Sequence, residues 1–262
     1  MIGIRFATVF FAGILLGAAP AIAETIDHLG TSYWVYRLKG QGQKLELYLS
    51  AKAGEPHRFP DLAERVAASG RRLTFALNAG IFEPGFLPSG LHISEGKTIV
   101  PLNLETFVKT DEAQVTPNFF LKPNGVFFLR GDGTAAVVES ARYATLGEKP
   151  RLATQSGPLL VATGQVHPAL NAESTSKRFR NGVGVTAAGE VIFACSILDR
   201  ELGLANLHSF ATLFRDALGC PDALYLDGDI SYIFIEGETE PIRETNWFGG
   251  IFAITEPLSP AP

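Results

Sequence analysis

This chain predicts an α+β fold, a mixed and mostly antiparallel sheet system with a few packed helices, on three observations. Short β-branched and aromatic runs recur between Gly-containing turns. Several of these runs are joined by turns too short for anything but an antiparallel connection. Helical patterns do not alternate regularly with strands, as a doubly wound parallel sheet would require.

Taken in chain order, the first segment is a targeting signal. Arg5 precedes an apolar stretch from Phe6 to Ala19, followed by Pro20 and the small-residue triplet Ala21-Ile22-Ala23, which predicts a secretory signal peptide over 1–23, cleaved after Ala23. The stretch is shorter than the roughly 20 residues a membrane-spanning helix needs. A protein free in the periplasm or outside the cell, without a stable membrane anchor after cleavage, is therefore expected. Residues 24–262 contain no Gly/Ser-rich or charged linker and are expected to form one domain.

Within that domain, Tyr33 to Lys39 and Lys44 to Ser50 read as a hairpin. Asp61 to Ser69 reads as a short helix, with Leu62, Val66 and Ala67 apolar on one face, running into the strand Leu73 to Leu77. Further hairpins are expected at Phe119 to Leu121 with Val126 to Leu129, around Pro123-Asn124-Gly125, and at Val183 to Thr186 with Val191 to Ile197. The clearest helix is capped by Asn206, runs to Leu218 and ends at Gly219; it feeds the strand Ala223 to Leu226.

Composition excludes some classes. There are 22 basic against 27 acidic residues, net charge -5, and the basic residues form no cluster, so nucleic acid is not expected as a partner. An oxidising compartment permits Cys195 and Cys220 to pair, and two buried free thiols are the alternative. No His spacing completes a structural zinc site with them. The chain has no G-x-S-x-G nucleophile elbow, no H-E-x-x-H and no phosphate-binding P-loop.

Chemistry is expected where three apolar strands end in small polar residues. Leu73 to Leu77 ends in Asn78-Ala79-Gly80, Leu152 to Gln155 in Ser156-Gly157-Pro158, and Ala223 to Leu226 in Asp227-Gly228-Asp229. Each alone is ordinary turn chemistry. If the three ends share one edge of a sheet, Asn78, Ser156, Asp227 and Asp229 face one cavity. Arg178 and Arg180 stand before a strand entrance, where a guanidinium can hold a phosphate or carboxylate in two-point fashion, and Arg180, next to Asn181-Gly182, is the better placed. Glu83, in a Gly- and Pro-rich loop, is either a second carboxylate of the site or a solvated loop residue. His92 and His167 flank candidate loops and could act near pH 7, although the more frequent fate of an isolated His is a satisfied hydrogen bond without catalysis.

The five segments Asn78-Ala79-Gly80-Ile81-Phe82, Leu121 to Phe127, Ala153 to Pro158, Arg180 to Val185 and Ala223 to Gly228 follow one another as in phosphodiester glycosidase domains. The chain resembles that family, in its bacterial exported branch, from about Tyr33 to Ile254. The turn Asp227-Gly228-Asp229-Ile230-Ser231 departs from the D-G-G-G-S run typical of the glycosidase branch, adding a carboxylate and a bulky side chain.

The resemblance implies hydrolysis of the sugar C1–O bond in a sugar-1-phosphodiester of an envelope or extracellular glycan. It implies Arg180 on the phosphate, Asp227 as nucleophile or as base toward water, and Asn78 and Ser156 orienting oxygens. Asp229 and Glu83 are further carboxylates, and Gly157, Asn181 and Ser231 of the same motifs are expected beside the substrate. No resident metal or cofactor is implied. Two alternatives stay open: a non-catalytic glycan-binding module using the same pocket, and a phosphodiesterase in which Asn78, Asp227 and Asp229 hold a divalent cation.

Overall fold

The computed structural model describes residues 22–38, 44–49, 57–240, 242 and 246–258. The first strands are β1 (Ile22–His28), β2 (Thr31–Leu38), β3 (Leu45–Tyr48), β4 (Arg71–Asn78), β5 (His92–Ser94) and β6 (Lys97–Val100), with helix α1 (Phe59–Ala68) before β4. Then come β7 (Gly125–Leu129), β8 (Ala135–Glu139), helix α2 (Ser140–Tyr143), β9 (Leu152–Ser156), β10 (Leu159–Ala162) and β11 (Gln165–Val166). The chain closes with β12 (Asn181–Val185), β13 (Val191–Ser196), helix α3 (Leu207–Thr212), β14 (Asp222–Asp227), β15 (Ile233–Ile235) and β16 (Ile251–Pro257).

These strands form three sheets, ordered β1-β2-β13-β12-β14-β10-β11, β15-β4-β16-β3 and β6-β5-β9-β7-β8. The pairings are antiparallel throughout, where a mixed but mostly antiparallel system was expected. All three sheets contribute to one central core. Tyr36, Val183 and Phe193 face it from the first sheet, Phe75, Leu77 and Phe252 from the second, and Phe127 and Leu152 from the third. Strand alternation sends the intervening residues to the other faces. Val35, Ala223 and Tyr225 thus pack with Phe210 and Phe214 of the α3 region, and Ala76 packs with Phe59 and Leu62 of α1; Leu73 joins that cluster because the β4–β16 register shifts between Phe75 and Leu73.

Most predicted elements appear with small shifts. Helix α1 begins two residues before Asp61, because Pro60 suits a first helical turn and the backbone N–H of Arg58 donates to Asp61 Oδ2 at 3.2 Å. Asn206 caps α3, its Oδ1 accepting from the Ser209 N–H at 2.8 Å; a π-type turn over Leu213–Ala217 follows, and Gly219 leaves the helix at φ +65°.

Two expected hairpins are absent. β2 lies between β1 and β13, while β3 pairs with β16 in another sheet. Leu45 and Leu47 do share the central core with Tyr36 and Leu38, and strand alternation, which fixes a face, names no edge partner. Phe119 to Leu121 is not a strand either. Asn118–Phe120 is a 3-10 turn held by Asn124 Nδ2, which donates to the Phe119 carbonyl at 2.8 Å, and β8 and β9 already occupy both edges of β7.

The predicted signal peptide lies outside the described residues except for Ile22 and Ala23, which begin edge strand β1 opposite Arg37 and Tyr36. Among the described residues no helix is long and apolar enough to cross a membrane. Cys195 and Cys220 are free, buried thiols, one in the central core and the other in the cluster around α3.

Candidate active site

The three predicted strand ends converge, and they come from three different sheets rather than from one edge. Asn78 ends β4, Ser156 ends β9 and Asp227 ends β14. Ser156 fastens them: its buried Oγ donates to the Leu226 carbonyl at 2.9 Å and accepts the Ile81 N–H at 3.2 Å. The approach needs a glycine at 80, where a Cβ would meet the Gln155 carbonyl oxygen at 2.8 Å and Ser156 Cβ at 3.0 Å.

Asn78 is buried, and its oxygen accepts from Asn181 Nδ2 and from the Tyr232 N–H, each at 2.9 Å. Those two donors fix the amide, so its nitrogen faces the Asp227 carboxylate at 3.4 Å. Asn181 Nδ2 also donates to the Asn78 carbonyl at 2.8 Å, leaving Asn181 Oδ1 buried without a partner. Ser231 closes the turn after Asp227, its Oγ donating to the Asp227 carbonyl at 3.2 Å. Ser156, Asn181 and Ser231 therefore hold the constellation together. Gly157 lies behind it, packed against Asn124 and the backbone of Asn118 and Phe119.

Asp227 is half-buried at a cleft of about 480 Å³. Burial pushes its carboxyl up to about 7, against the lowering influence of the Gly228 N–H, the Asn78 amide and the Arg180 charge. Arg180 lines the same cleft and is 4% exposed. Its Nε donates to the Ala205 carbonyl at 3.2 Å, Nη2 to the Ser176 carbonyl at 3.2 Å and Nη1 to Tyr225 Oη at 3.0 Å. Its guanidinium carbon lies 5.5 Å from the Tyr225 ring centroid. Among the described residues, no carboxylate forms an ion pair with it.

Tyr225 was not singled out from the sequence, although a signal existed. It precedes Asp227 by two in the same strand, and alternation puts both on one face. Gly228 accommodates it, since a Cβ there would meet Tyr225 Oη at 2.8 Å. Phe82, Phe119 and Phe120 also line the cleft and were missed as site residues; no local pattern distinguishes them from core aromatics.

Glu83 and Asp229 line the cleft too, at its exposed rim. Glu83 Oε1 accepts from Ser89 Oγ at 2.7 Å, and Asp229 lies 3.4 Å from Arg178 Nε in an exposed pair. Neither of the two histidines lines the cleft. His92 is buried without a hydrogen-bond partner and its pKa is lowered to about 4 by burial; His167 is buried, likewise lowered, and its Nδ1 accepts the Ala169 N–H.

The sequence profile of the phosphodiester glycosidase family matches residues 71–246, well over half of the chain. This chain belongs to the phosphodiester glycosidase family. The match runs from β4 to the segment before β16 and so contains Asn78, Ser156, Arg180 and Asp227. By sequence the chain is also similar to the uncharacterized protein YigE of Escherichia coli (strain K12), 29% identical over 246 residues, covering 92% of this chain and 90% of that one.

Solved structures that share the fold include the following two. The catalytic domain of zebrafish N-acetylglucosamine-1-phosphodiester α-N-acetylglucosaminidase superposes with a TM-score of 0.60 at 14% identity, covering 90% of this chain and 82% of that one. A hypothetical protein from Synechocystis gives 0.55 at 14% identity, covering 90% and 61%.

Proposed function

We propose that this phosphodiester glycosidase-family protein is an exported hydrolase that breaks the sugar C1–O bond of a sugar-1-phosphodiester in an envelope or extracellular glycan. The observation that carries the reading is the Arg180 guanidinium, buried, hydrogen-bonded to neutral oxygens and placed on the cleft that holds Asp227. A buried cation without a carboxylate partner is costly by itself and is stabilised by a bound anion. Three of the five guanidinium N–H groups are engaged, leaving one on each terminal nitrogen for the two-point contact that phosphate favours.

Asp227, with its carboxyl near 7, suits a base acting on water at neutral pH. It takes a proton as the water oxygen bonds to C1. The C1–O bond breaks with its electrons on the phosphate oxygen, and a phosphate monoester leaves. That leaving group has a second pKa of about 6, so it needs little help from an acid. The Asn78 N–H orients the carboxylate, and Phe82 and Phe120 offer apolar surface to the sugar ring. The apolar stretch and small-residue triplet that predict a leader over 1–23 support a site of action in the periplasm or outside the cell.

The alternative with a divalent cation is less favoured by the geometry. Asn78 turns its nitrogen, not its oxygen, toward Asp227, and an amide nitrogen is a poor cation ligand.

The test is release of free sugar from a panel of sugar-1-phosphodiesters, including nucleotide sugars and methyl-phosphate esters, by the purified protein and by Asp227→Asn. Release that falls by orders of magnitude in the variant supports the reading. Near-normal release in Asp227→Asn removes that residue from the chemistry.

A further inference from the structure

An aromatic track leaves the cleft at Phe82. Phe82 lines the cleft; Phe86 stands 5.7 Å from it, ring centroid to ring centroid, with 31° between the planes, and Trp247 stands 5.6 Å beyond Phe86 at 79°. Two separate segments build this track. Phe82 and Phe86 share one tight loop after β4, in which the Glu83 N–H donates to the Leu87 carbonyl at 2.8 Å and the Phe86 N–H to the Glu83 carbonyl at 3.0 Å. Trp247 belongs to the segment that enters β16, and that segment reaches the loop because residue 249 is glycine: a Cβ there would meet Phe82 Cβ at 2.5 Å.

Packing does not account for the two outer rings. Phe86 sits at φ +61°, a left-handed conformation that is strained for a bulky side chain and free for glycine. Strain of this kind persists where the side chain has a use. Yet Phe86 is only half-buried, and Trp247 keeps 51% of its surface exposed. A strained, solvent-facing pair of rings continuous with the cleft is surface for a ligand to cover.

The chemistry of that surface fits sugar. Ring faces receive the C–H faces of a pyranose, and Glu83, between Phe82 and Phe86 in the chain and on the cleft rim, accepts from hydroxyl groups. The carboxylates of Glu83 and Asp229 on the same rim oppose an anionic lipid surface. Resting on the phosphodiester reading, in which Phe82 receives the reacting sugar, we infer that Phe86 and Trp247 bind further sugars of the same glycan, so that the part released from phosphate is an oligosaccharide rather than a single sugar. The bond broken is the same. Water adds its oxygen to C1 of the sugar at the phosphate end, and the phosphate monoester leaves with the bonding electrons.

The test compares substrates that differ only in glycan length, supplied to the full protein: C1 methyl phosphodiesters of N-acetylglucosamine and chitotriose, and of glucose and maltotriose. In the pair that is cleaved, kcat/KM should be about tenfold higher for the trimer. Phe86→Gly, which removes the ring and relieves the backbone, and independently Trp247→Ala should each bring that ratio toward one. A ratio near one in the unmodified protein, or a ratio unmoved by both variants, overturns the sugar track and leaves the phosphodiester reading standing. Cleavage of neither pair counts against the phosphodiester reading, and the track is then decided by a readout without chemistry. In Trp34→Phe, Trp247 is the remaining tryptophan of the two in the chain, and its emission should change saturably with free chitotriose or maltotriose but not with the monomers at equal concentration. No change with either trimer, or a change with protein concentration alone, as when a second copy covers the rings, overturns the track.

Discussion

Asn78 and Asp227 meet at 3.4 Å from two different sheets, and the Asn78 oxygen is so occupied by Asn181 and Tyr232 that only its N–H is available to the carboxylate. A donor aimed at a carboxylate favours its ionised form. Without it, the Asp227 carboxyl should titrate higher still. Asn78→Ala is expected to move the acidic limb of the kcat/KM profile upward from about 7 and to lower kcat. An unmoved limb means that Asn78 has no hold on the ionisation of Asp227. The same variant leaves Asn181 Nδ2 and the Tyr232 N–H short of a partner, at a cost of about 1–3 kcal/mol in stability.

Arg180 and Tyr225 give the phosphate side of the same account. Arg180→Lys keeps a charge but loses the planar fork, so kcat/KM should fall by about tenfold or more, chiefly through KM. Tyr225→Phe retains the ring beneath the guanidinium and removes the oxygen that accepts from Nη1. A smaller rise in KM is expected. Steady-state kinetics in which both variants lower kcat alone would contradict a phosphate-holding role.

The stability of the protein should carry the mark of Asp227. Its folded carboxyl titrates at about 7 and the free residue near 3.8, so the folded state holds this proton more tightly. That contribution is complete below about 3.8 and is lost as pH rises through 7. Asp227→Asn does not ionise and escapes the loss. Its melting temperature relative to the unmodified protein should climb between pH 4 and 7 and then level, the full difference amounting to about 4 kcal/mol. A difference independent of pH contradicts the raised carboxyl.

How much of this was legible in the chain varies by residue. Asn78, Ser156 and Asp227 were visible because each ends an apolar strand in a small polar turn, a local pattern. Their origin in three sheets was not, since strand alternation names a face but no partner sheet, as the mistaken pairing of β2 with β3 also shows. Tyr225 was readable by its two-residue spacing from Asp227 but looked like core. Asp229 was expected on the cavity and Glu83 was left open between a site carboxylate and a solvated loop residue; both stand at the exposed rim of the cleft, a position set by loop geometry that sequence spacing does not encode.

His92 supplies a prediction apart from catalysis. Burial lowers it to about 4 from the usual 6.5, so the unfolded chain takes up a proton that the folded one refuses. Stability should fall as pH drops from 6.5 to 4, by about 3 kcal/mol from this residue. His57, buried and also lowered to about 4, acts in the same direction. His92→Leu should flatten part of the slope of melting temperature against pH in that window, and an unchanged slope would show that His92 accepts its proton in the folded protein.

The most direct measurement is hydrolysis of a sugar-1-phosphodiester in heavy-oxygen water, with mass analysis of both products. Attack at C1 places the label in the free sugar and leaves the phosphate monoester unlabelled, which is the result this account predicts. Label in the phosphate monoester would mean that water attacks phosphorus, and would contradict the assignment of Asp227 to glycosidic cleavage.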